Sequence, residues 1–220
     1  MSKIELLNVD CMEFMRGLPD KAFDLAIVDP DFGLNDKISS GGTWAAKYKR
    51  EDGNLGGKPA KEYWRELRRV SNDQIVWGGN YFADELPATR CWIVWDKVAH
   101  LETLADCELA WTSMDRNAKI YAEGRVHHNR IHICQKPVAL YRWLLQNYAK
   151  PGQRILDTHG GSMSIAIACD IEGYDLTLCE IDKDYYEAGK QRLEQHQAQP
   201  RMFTAEPAPQ PEQLSIDPAA

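Results

Sequence analysis

Blocks of apolar residues along this chain predict buried strands. Three short runs rich in branched and aromatic residues carry the clearest signal: FDLAIV at residues 23–28, QIVWGG at 74–79 and CWIVWD at 91–96. Short runs that are apolar throughout are typical of strands covered on both faces, as in α/β sheets. Residues 109–112 and 119–121 are weaker strand candidates.

Apolar residues spaced three or four apart predict helices over residues 59–70 and 136–150. The last third of the chain adds a strand at 154–157, a glycine turn, a small-residue helix through Asp170, a strand at 174–181 and an amphipathic helix from 182 onward. A strand, helix, strand order of this kind is a βαβ unit. The predicted fold class is therefore α/β.

The length and composition fit one compact domain over residues 1–196. The chain has 220 residues and 25.1 kDa, and 44% of its residues are hydrophobic, which is enough for one sizeable core. Residues 33–60 are rich in Gly, Ser and Lys without a period, which predicts a mobile loop. Residues 197–220 are rich in Pro, Ala and Gln, which predicts a disordered tail.

Cysteine usage and charge restrict the environment and the partners. The six cysteines are scattered, and the first residues lack the features of a signal peptide. No apolar run approaches a membrane span, so we expect a cytoplasmic protein with no membrane partner. The net charge of −7 argues against coating of nucleic acid, although basic residues gather in 37–50, 58–69 and 116–130. Solvated helix faces explain such clusters as well as a nucleic-acid interface does.

A cofactor signal lies in the predicted βαβ unit. ILDTHGGS at residues 155–162 ends a strand and opens a helix through Gly160, Gly161 and Ser162, and Glu180 ends the next strand. Glycines let the backbone approach a ligand, and a carboxylate at a strand end can accept both ribose hydroxyls of an adenosine. Because G-x-G-x-x-G is absent, a dinucleotide is disfavoured. The alternative is a glycine pair that only marks the turn between strand and helix.

A second signal, Asp29-Pro30-Asp31-Phe32, directly follows the first predicted strand. An exocyclic amine of a base is a poor nucleophile, because its lone pair is delocalised into the ring. Acceptors aimed at its two protons favour attack, and the Asp29 carboxylate and the Pro30 carbonyl are such acceptors. Phe32 can stack on a base flipped from a duplex. An Asp-Pro turn without a chemical role is the alternative.

Four ordered segments resemble the DNA amino-methyltransferases with the permuted, β-type motif order. They are FDLAIVDPDFG at 23–33, HICQKP at 132–137, ILDTHGGS at 155–162 and LCEIDKDYYEAGKQRL at 178–193. The resemblance covers roughly residues 5–193. It implies a circularly permuted, Rossmann-like fold, with a seven-stranded methyltransferase sheet and helices on both faces.

The resemblance also implies a cofactor, S-adenosyl-L-methionine, and a partner, DNA. It assigns Asp29, Pro30 and Phe32 as catalytic residues and implies direct in-line transfer of the sulfonium methyl group to the amine. The cofactor-binding residues it implies are Asp10, Cys11, Asp29, His132, Gln135, Lys136, Pro137, Asp157, His159, Gly160, Gly161, Ser162, Glu180 and Ile181.

The function implied is methylation of the exocyclic amine of a flipped base in DNA. Adenine N6 is favoured, because the motif begins with Asp where serine is commoner among the cytosine enzymes. The alternatives are cytosine N4 methylation, a module that binds cofactor or DNA without turnover, and methylation of a glutamine side chain or a small amine. The resemblance further suggests a restriction-modification setting in a bacterium or a phage.

Residues 97–131 leave room for only a small target-recognition or insert region. We therefore expect short or relaxed site specificity, or a homodimer that shares recognition surface. No metal site is expected, because the reaction needs none and the adjacent His127 and His128 cannot easily both bind one ion.

Two departures from the family pattern stand inside the motifs. Asp31 occupies the place of a second proline, which is expected to loosen the turn, to add a negative charge near the DNA and to weaken activity. Thr158 and His159 occupy the place of a more common Pro-Phe pair. An imidazole that can donate a hydrogen bond therefore replaces an aromatic wall beside the cofactor.

Overall fold

The computed structural model describes residues 2–33, 57–98, 102, 105–126, 130–132 and 134–199. The strands are β1 (Ile4–Leu7), β2 (Phe23–Val28), β3 (Ser71–Trp77), β4 (Trp92–Asp96), β5 (Cys107–Thr112), β6 (Lys119–Ala122), β7 (Arg154–Asp157) and β8 (Asp175–Cys179). The helices are α1 (Cys11–Arg16), α2 (Lys61–Val70), α3 (Val138–Tyr148), α4 (Ser164–Glu172) and α5 (Lys183–Gln197), with a 3-10 turn at Gly79–Tyr81. None of the helices within these ranges is long and apolar enough to cross a membrane.

The strands form one sheet in the order β1-β8-β7-β2-β3-β5-β4-β6. Strand β5 is antiparallel to both of its neighbours, and the other pairings are parallel. The predicted Rossmann-like α/β fold is confirmed, but the sheet has eight strands rather than seven. Strand β6 is the edge strand next to β4, and its Ile120 is 71% exposed. Because little covers this strand, its apolar signal in the sequence is weak.

The chain between residues 97 and 131 is integrated into the sheet. It supplies β5, which pairs with β3 and β4, and β6, which pairs with β4. Both strands extend the sheet beyond β3, and the interpretation of residues 97–131 as a small insert region stays a prediction. The target-recognition role of this region stays a prediction.

Both faces of the sheet are covered, and β2 shows the consequence for the sequence. Leu25 and Ile27 of β2 pack with α3, α4 and α5 on one face, and Ala26 and Val28 pack with α1 and α2 on the other. Successive side chains of a strand point to opposite faces, so a strand covered on both sides is apolar at every position. This explains why the run FDLAIV marks a strand whose bounds agree with the prediction.

A crevice lies between β7 and β2, because the connections that follow these two strands lead in opposite directions along the sheet. The chain leaves β7 through α4 toward β8 on one side, and it passes from β2 through α2 to β3 on the other side. Strands β7 and β2 are direct neighbours, with Leu25 opposite Ile155 and Ala26 opposite Leu156. Ligands of open α/β sheets bind at such a switch point, outside the carboxyl ends of the strands. The residues after β2 and β7 therefore face one crevice.

Candidate active site

A cavity of about 320 Å³ lies at the carboxyl ends of β1, β2, β7 and β8. This volume is in the range of small-molecule sites. Most of the residues proposed from the sequence line it: Asp10, Cys11, Asp29, Pro30, Phe32, His132, Lys136, His159, Gly160, Gly161, Ser162, Glu180 and Ile181. Segments that lie far apart in the chain therefore meet at one site.

Three of the proposed residues do not line the cavity. Gln135 is buried, and its side-chain oxygen accepts a hydrogen bond from the Ile131 N–H at 3.0 Å. Pro137 is the N-cap residue of α3. Asp157 is buried behind the turn and accepts from the His159 N–H at 3.0 Å. Each of these residues supports the backbone beside the cavity, and its direct contact with a cofactor stays a prediction.

The glycine turn is built around the Glu180 carboxylate. The Gly161 N–H donates to Glu180 Oε2 at 2.7 Å, and the Asp182 N–H donates to Oε1 at 2.8 Å. A Cβ atom at Gly160 would lie 2.3 Å from the Leu178 side chain, so the close packing of turn on strand requires glycine there. These amides fix the orientation of a carboxylate that lines the cavity. The arrangement fits the paired hydroxyls of a ribose.

Burial sets the protonation of two groups behind and beside this turn. It raises the pKa of the Asp157 carboxyl to about 8, with smaller contributions from Asp29 and Glu180, although the His159 N–H acts in the opposite direction. It also lowers the pKa of His132 to about 4, assisted by Lys136 and Arg130. His132 is therefore a neutral ring near pH 7.

His132 and Tyr185 form one wall of the cavity. Their ring centroids lie 4.5 Å apart in an edge-to-face arrangement. His132 Nδ1 accepts from the Cys134 N–H at 3.2 Å, which places its single proton on Nε2. The sequence motif contains His132, but Tyr185 was not proposed. It is the third residue of the helix after Glu180, and only the tertiary structure brings it to the site.

Asp29 begins a buried chain of alternating charges. Its Oδ2 atom contacts Lys136 Nζ, which also lies 3.2 Å from Glu108 Oε2, and Glu108 Oε1 in turn lies 2.6 Å from Lys97 Nζ. The Lys136 ammonium further lies 5.2 Å from the centroid of the Trp77 ring. Each charge has an opposite neighbour, which offsets part of the free-energy cost of removing these groups from water.

The same cluster shifts the titration of its members. Burial raises the pKa of Asp29, the nearby Lys136 ammonium counteracts this rise, and the negative charge of Glu108 adds to it. Burial would raise the pKa of Glu108 too, but Lys136 and Lys97 outweigh it and leave that pKa below its ordinary value. Asp29 Oδ1 is buried and makes no hydrogen bond to any residue that the structure describes. This acceptor atom is thus unpaired within the described part of the protein.

Asp31 closes the turn that follows Asp29 and Pro30. Its Oδ1 atom accepts from the Gly33 N–H at 2.7 Å, and Gly33 has a φ of +71°. The Asp31 side chain supplies a local hydrogen bond where a proline would supply a fixed φ, and the expectation of a looser turn stays a prediction. Asp31 lines the cavity and is half-buried, and this burial raises the pKa of its carboxyl.

Phe32 is held by a glycine and by a second aromatic ring. It stacks on Tyr81 with a centroid distance of 4.9 Å and an interplanar angle of 14°. Gly78 has a φ of +67°, and a Cβ atom there would lie 2.1 Å from the Phe32 ring. Tyr81 remains 38% exposed, so the two rings form a stack at the mouth of the cavity. The dipeptide Gly78-Gly79 after β3 is the only sequence signal for this contact.

Several basic residues of the predicted clusters are engaged within the protein. Arg69 donates to Glu66, Asp20 and the carbonyl oxygens of Met15 and Leu18. Arg116 donates to the Asn147 carbonyl and lies over the Tyr148 ring. These residues stabilise the fold, so they are poor candidates for phosphate contacts. The cluster at 37–50, His127 and His128 lie outside the described residues, as do residues 34–56 of the predicted loop and 200–220 of the predicted tail.

Known structures share this architecture. The M1.HpyAVI–SAM complex aligns with a TM-score of 0.58 at 18% identity, covering 86% of this chain and 99% of that chain. The PvuII DNA methyltransferase (cytosine-N4-specific) aligns with a TM-score of 0.61 at 12% identity, covering 93% of this chain and 89% of that chain. TTHA0409 from Thermus thermophilus, complexed with S-adenosyl-L-methionine, aligns with a TM-score of 0.56 at 12% identity over 89% of this chain and 94% of that chain. At these identities the likeness shows the fold.

The sequence itself shows the family. No curated protein matches the chain. A family model described as DNA methylase, which covers N6 and N4 methyltransferases, matches residues 29–191. That range contains the Asp29 turn, the glycine turn and Glu180. The chain belongs to this DNA methylase family, whose members use S-adenosyl-L-methionine to methylate exocyclic N6 or N4 amines of DNA bases.

Proposed function

We propose that this protein methylates adenine N6 in DNA. The observation that carries the proposal is the Asp29 carboxylate, which lines the cavity and whose buried Oδ1 atom has no hydrogen bond to any described residue. When bound, S-adenosyl-L-methionine supplies an electrophilic methyl group. The Glu180 carboxylate and the close backbone approach at Gly160 fit the nucleoside of this cofactor, and we assign the lining residues to its binding.

The residues after β2 hold the amine in this proposal. Asp29 Oδ1 and the Pro30 carbonyl accept from its two protons and direct the nitrogen lone pair toward the cofactor side of the cavity. Lys136 holds Asp29 Oδ2 and thereby fixes the plane of the carboxylate. Phe32, supported by Tyr81, offers a stacking surface to the flipped base.

Cytosine N4 is the second candidate, because the same two acceptors fit its amine and the fold is shared with a cytosine-N4-specific enzyme. The preference for adenine rests on the acidic first residue of the motif. A module without turnover is less favoured, because the Asp31 side chain closes the turn that a proline closes elsewhere. A role in restriction-modification, an origin in a bacterium or phage, and short or relaxed specificity or a homodimer stay predictions.

The test is transfer of label from tritiated S-adenosyl-L-methionine to unmethylated DNA, followed by nucleoside mass spectrometry. N6-methyladenine is the expected product, whereas N4-methylcytosine would reassign the base. Label in free glutamine or small amines alone would refute a DNA substrate. The control is Asp29→Ala, which should lower turnover by about 10²- to 10³-fold, the cost of removing one preorganised group at the reacting centre.

A further inference from the structure

Three side chains form a hydrogen-bonded chain that ends at the cavity. The Tyr63 hydroxyl of α2 lies 2.7 Å from Thr158 Oγ1, and this atom lies 2.8 Å from His159 Nδ1. Tyr63 and Thr158 are each only 3% exposed. The His159 ring also meets the Tyr63 ring edge to face, with centroids 5.4 Å apart. The hydrogen bonds among Tyr63, Thr158 and His159 therefore determine where the hydroxyl protons of Tyr63 and Thr158 point.

The direction of the hydrogen bonds follows from counting protons. Among the described residues, Thr158 Oγ1 is the only hydrogen-bonding partner of the Tyr63 hydroxyl. A buried hydroxyl that fails to donate is costly, so Tyr63 donates to Thr158. The Thr158 proton is then directed to His159 Nδ1, which accepts. Burial lowers the pKa of His159 to about 4, so the ring is neutral near pH 7 and carries its one proton on Nε2.

The Nε2–H group lies on the cavity side of the ring. Nδ1 is turned toward the buried hydroxyl of Thr158, and Nε2 is on the opposite side of the imidazole. His159 lines the cavity, and none of the residues that the structure describes forms a hydrogen bond with Nε2. The charged group that acts on His159 is Asp10 in the β1–α1 connection, rather than Asp29. In the sheet, β1, which leads to Asp10, is separated by β8 and β7 from β2, which leads to Asp29.

We propose that His159 Nε2–H donates a hydrogen bond to a ring nitrogen of the adenine of S-adenosyl-L-methionine, with Tyr63 and Thr158 as positioning residues that fix the tautomer. This inference rests on the cofactor in the proposed function and is independent of the base that is methylated. Adenine ring nitrogens are acceptors without protons, and the negative charge of Asp10 disfavours the cofactor carboxylate at this place. The phenylalanine common at this position in the family has no such donor.

The first experiment measures binding by calorimetry of S-adenosylhomocysteine and of its 1-deaza, 3-deaza and 7-deaza analogues, each of which lacks one ring nitrogen. One analogue should bind the native protein about 5- to 10-fold more weakly than the parent, the effect of one lost hydrogen bond. In His159→Phe the parent should lose about the same factor, and the discrimination between parent and analogue should disappear. Parent binding without any discrimination by the native protein overturns this inference alone. Failure of the parent to bind overturns the proposed cofactor as well.

The second experiment reads the tautomer directly from ¹⁵N chemical shifts of the His159 ring, without any turnover. The native protein and Thr158→Ser, which keeps the hydroxyl, should show the Nε2–H form. Thr158→Val, combined with Tyr63→Phe so that no buried hydroxyl is stranded, should show a mixture of both tautomers. An Nδ1–H form in the native protein, or an unchanged Nε2–H form in the double variant, contradicts the positioning role.

Discussion

The side chain of Asp31 illustrates how one residue can keep a turn and still change the chemistry around it. Its carboxylate accepts a hydrogen bond from the Gly33 N–H and so closes the turn that follows Asp29. The charge, however, lies at the mouth of a site that must admit a DNA strand. A substitution of Asp31 can therefore remove the negative charge without removing the hydrogen bond that closes the turn.

We predict that Asp31→Asn, which keeps the acceptor oxygen but removes the charge, lowers the KM for DNA by about 3-fold at low salt with little change in kcat, since one half-exposed charge repels the phosphates only modestly. Steady-state kinetics at pH 8 with increasing salt checks this, because the gain should fade as the charge is screened. Asp31→Ala is the control, since it loses the turn bond too and should also lower kcat. A KM for DNA in Asp31→Asn that equals the native value at low salt would refute the electrostatic role.

A matched pair of glycines tests the position of Phe32. Gly78 and Gly173 both have left-handed backbone conformations, with φ of +67° and +80°. A Cβ at Gly78 would meet Phe32, whereas nothing lies within 4 Å of one at Gly173. Alanine at Gly173 should cost about 1 kcal/mol in the free energy of unfolding, and alanine at Gly78 should cost more, because its Cβ also overlaps Phe32. Only Gly78→Ala should also reduce turnover, because Phe32 must move; urea denaturation and label transfer measure the two effects. Equal turnover in both variants would show that the Phe32 position is unimportant.

The order of neighbouring residues explains which site residues the sequence can reveal. Asp29 and Glu180 are detectable because each directly follows an apolar strand, and parallel strands end at one edge. Glu108 and Tyr63 carry no such signal, since a charge within a strand and a tyrosine on a helix are common surface or core features. Their roles arise only from partners in other elements, Lys136 and Thr158.

At the scale of elements, the antiparallel strand β5 pairs with β3 and β4 and also supplies a side chain to the charged cluster around Asp29. Its residue Glu108 contacts Lys136, which lies just before helix α3. Glu108 lies just outside the weak strand candidate at residues 109–112, and it acts on the pKa of Asp29. Helix α2 likewise has two roles, because it covers one face of the sheet and supplies Tyr63, whose hydroxyl bonds to Thr158.

Opposite charges in this cluster should shift the pH profile of turnover in opposite directions. Glu108 raises the pKa of Asp29 and Lys97 lowers it. In Glu108→Gln, Asp29 should ionise at lower pH, so the acid limb of kcat should move to lower pH. In Lys97→Gln the acid limb should move to higher pH. Profiles of kcat for both variants check the sign, and shifts in the same direction would show that the limb reports another group.

Elements differ in how far their sequences reveal them. Strand β2 was predicted with its bounds because both faces are covered. Strand β3 begins earlier than its apolar run, at Ser71, since α2 passes into it directly and the Ser71 hydroxyl donates to the Leu67 carbonyl. Strand β6 shows little apolar pattern because three of its four residues are exposed. Burial thus decides how visible an element is before the structure is known.

At the scale of the whole molecule, cofactor binding should stabilise the complete fold, since the cavity draws on strands from both ends of the chain. At a concentration of 100 times Kd, S-adenosylhomocysteine should add about 2.7 kcal/mol to the free energy of unfolding, which raises the Tm by roughly 5–10 °C for a domain of this size. Glu180→Gln should reduce this rise by about half if its Kd is tenfold higher. Differential scanning calorimetry measures the rise.

The control for that measurement is Glu172→Gln. Glu172 lies at the end of α4 and pairs with Arg142, and it does not line the cavity. Its substitution should leave the ligand-induced rise in Tm unchanged. Identical rises in the Glu180 and Glu172 variants would remove Glu180 from the cofactor site.

The pairing of β2 with β7 has a consequence for folding during translation. The contact between Asp24 and Arg154 joins residues 130 positions apart. At a synthesis rate of roughly 5–20 residues per second, β2 is synthesised about 7–26 s before β7. A nascent chain consequently cannot modify DNA during translation, and its exposed β2 edge needs protection from aggregation or chaperone assistance until the later strand arrives.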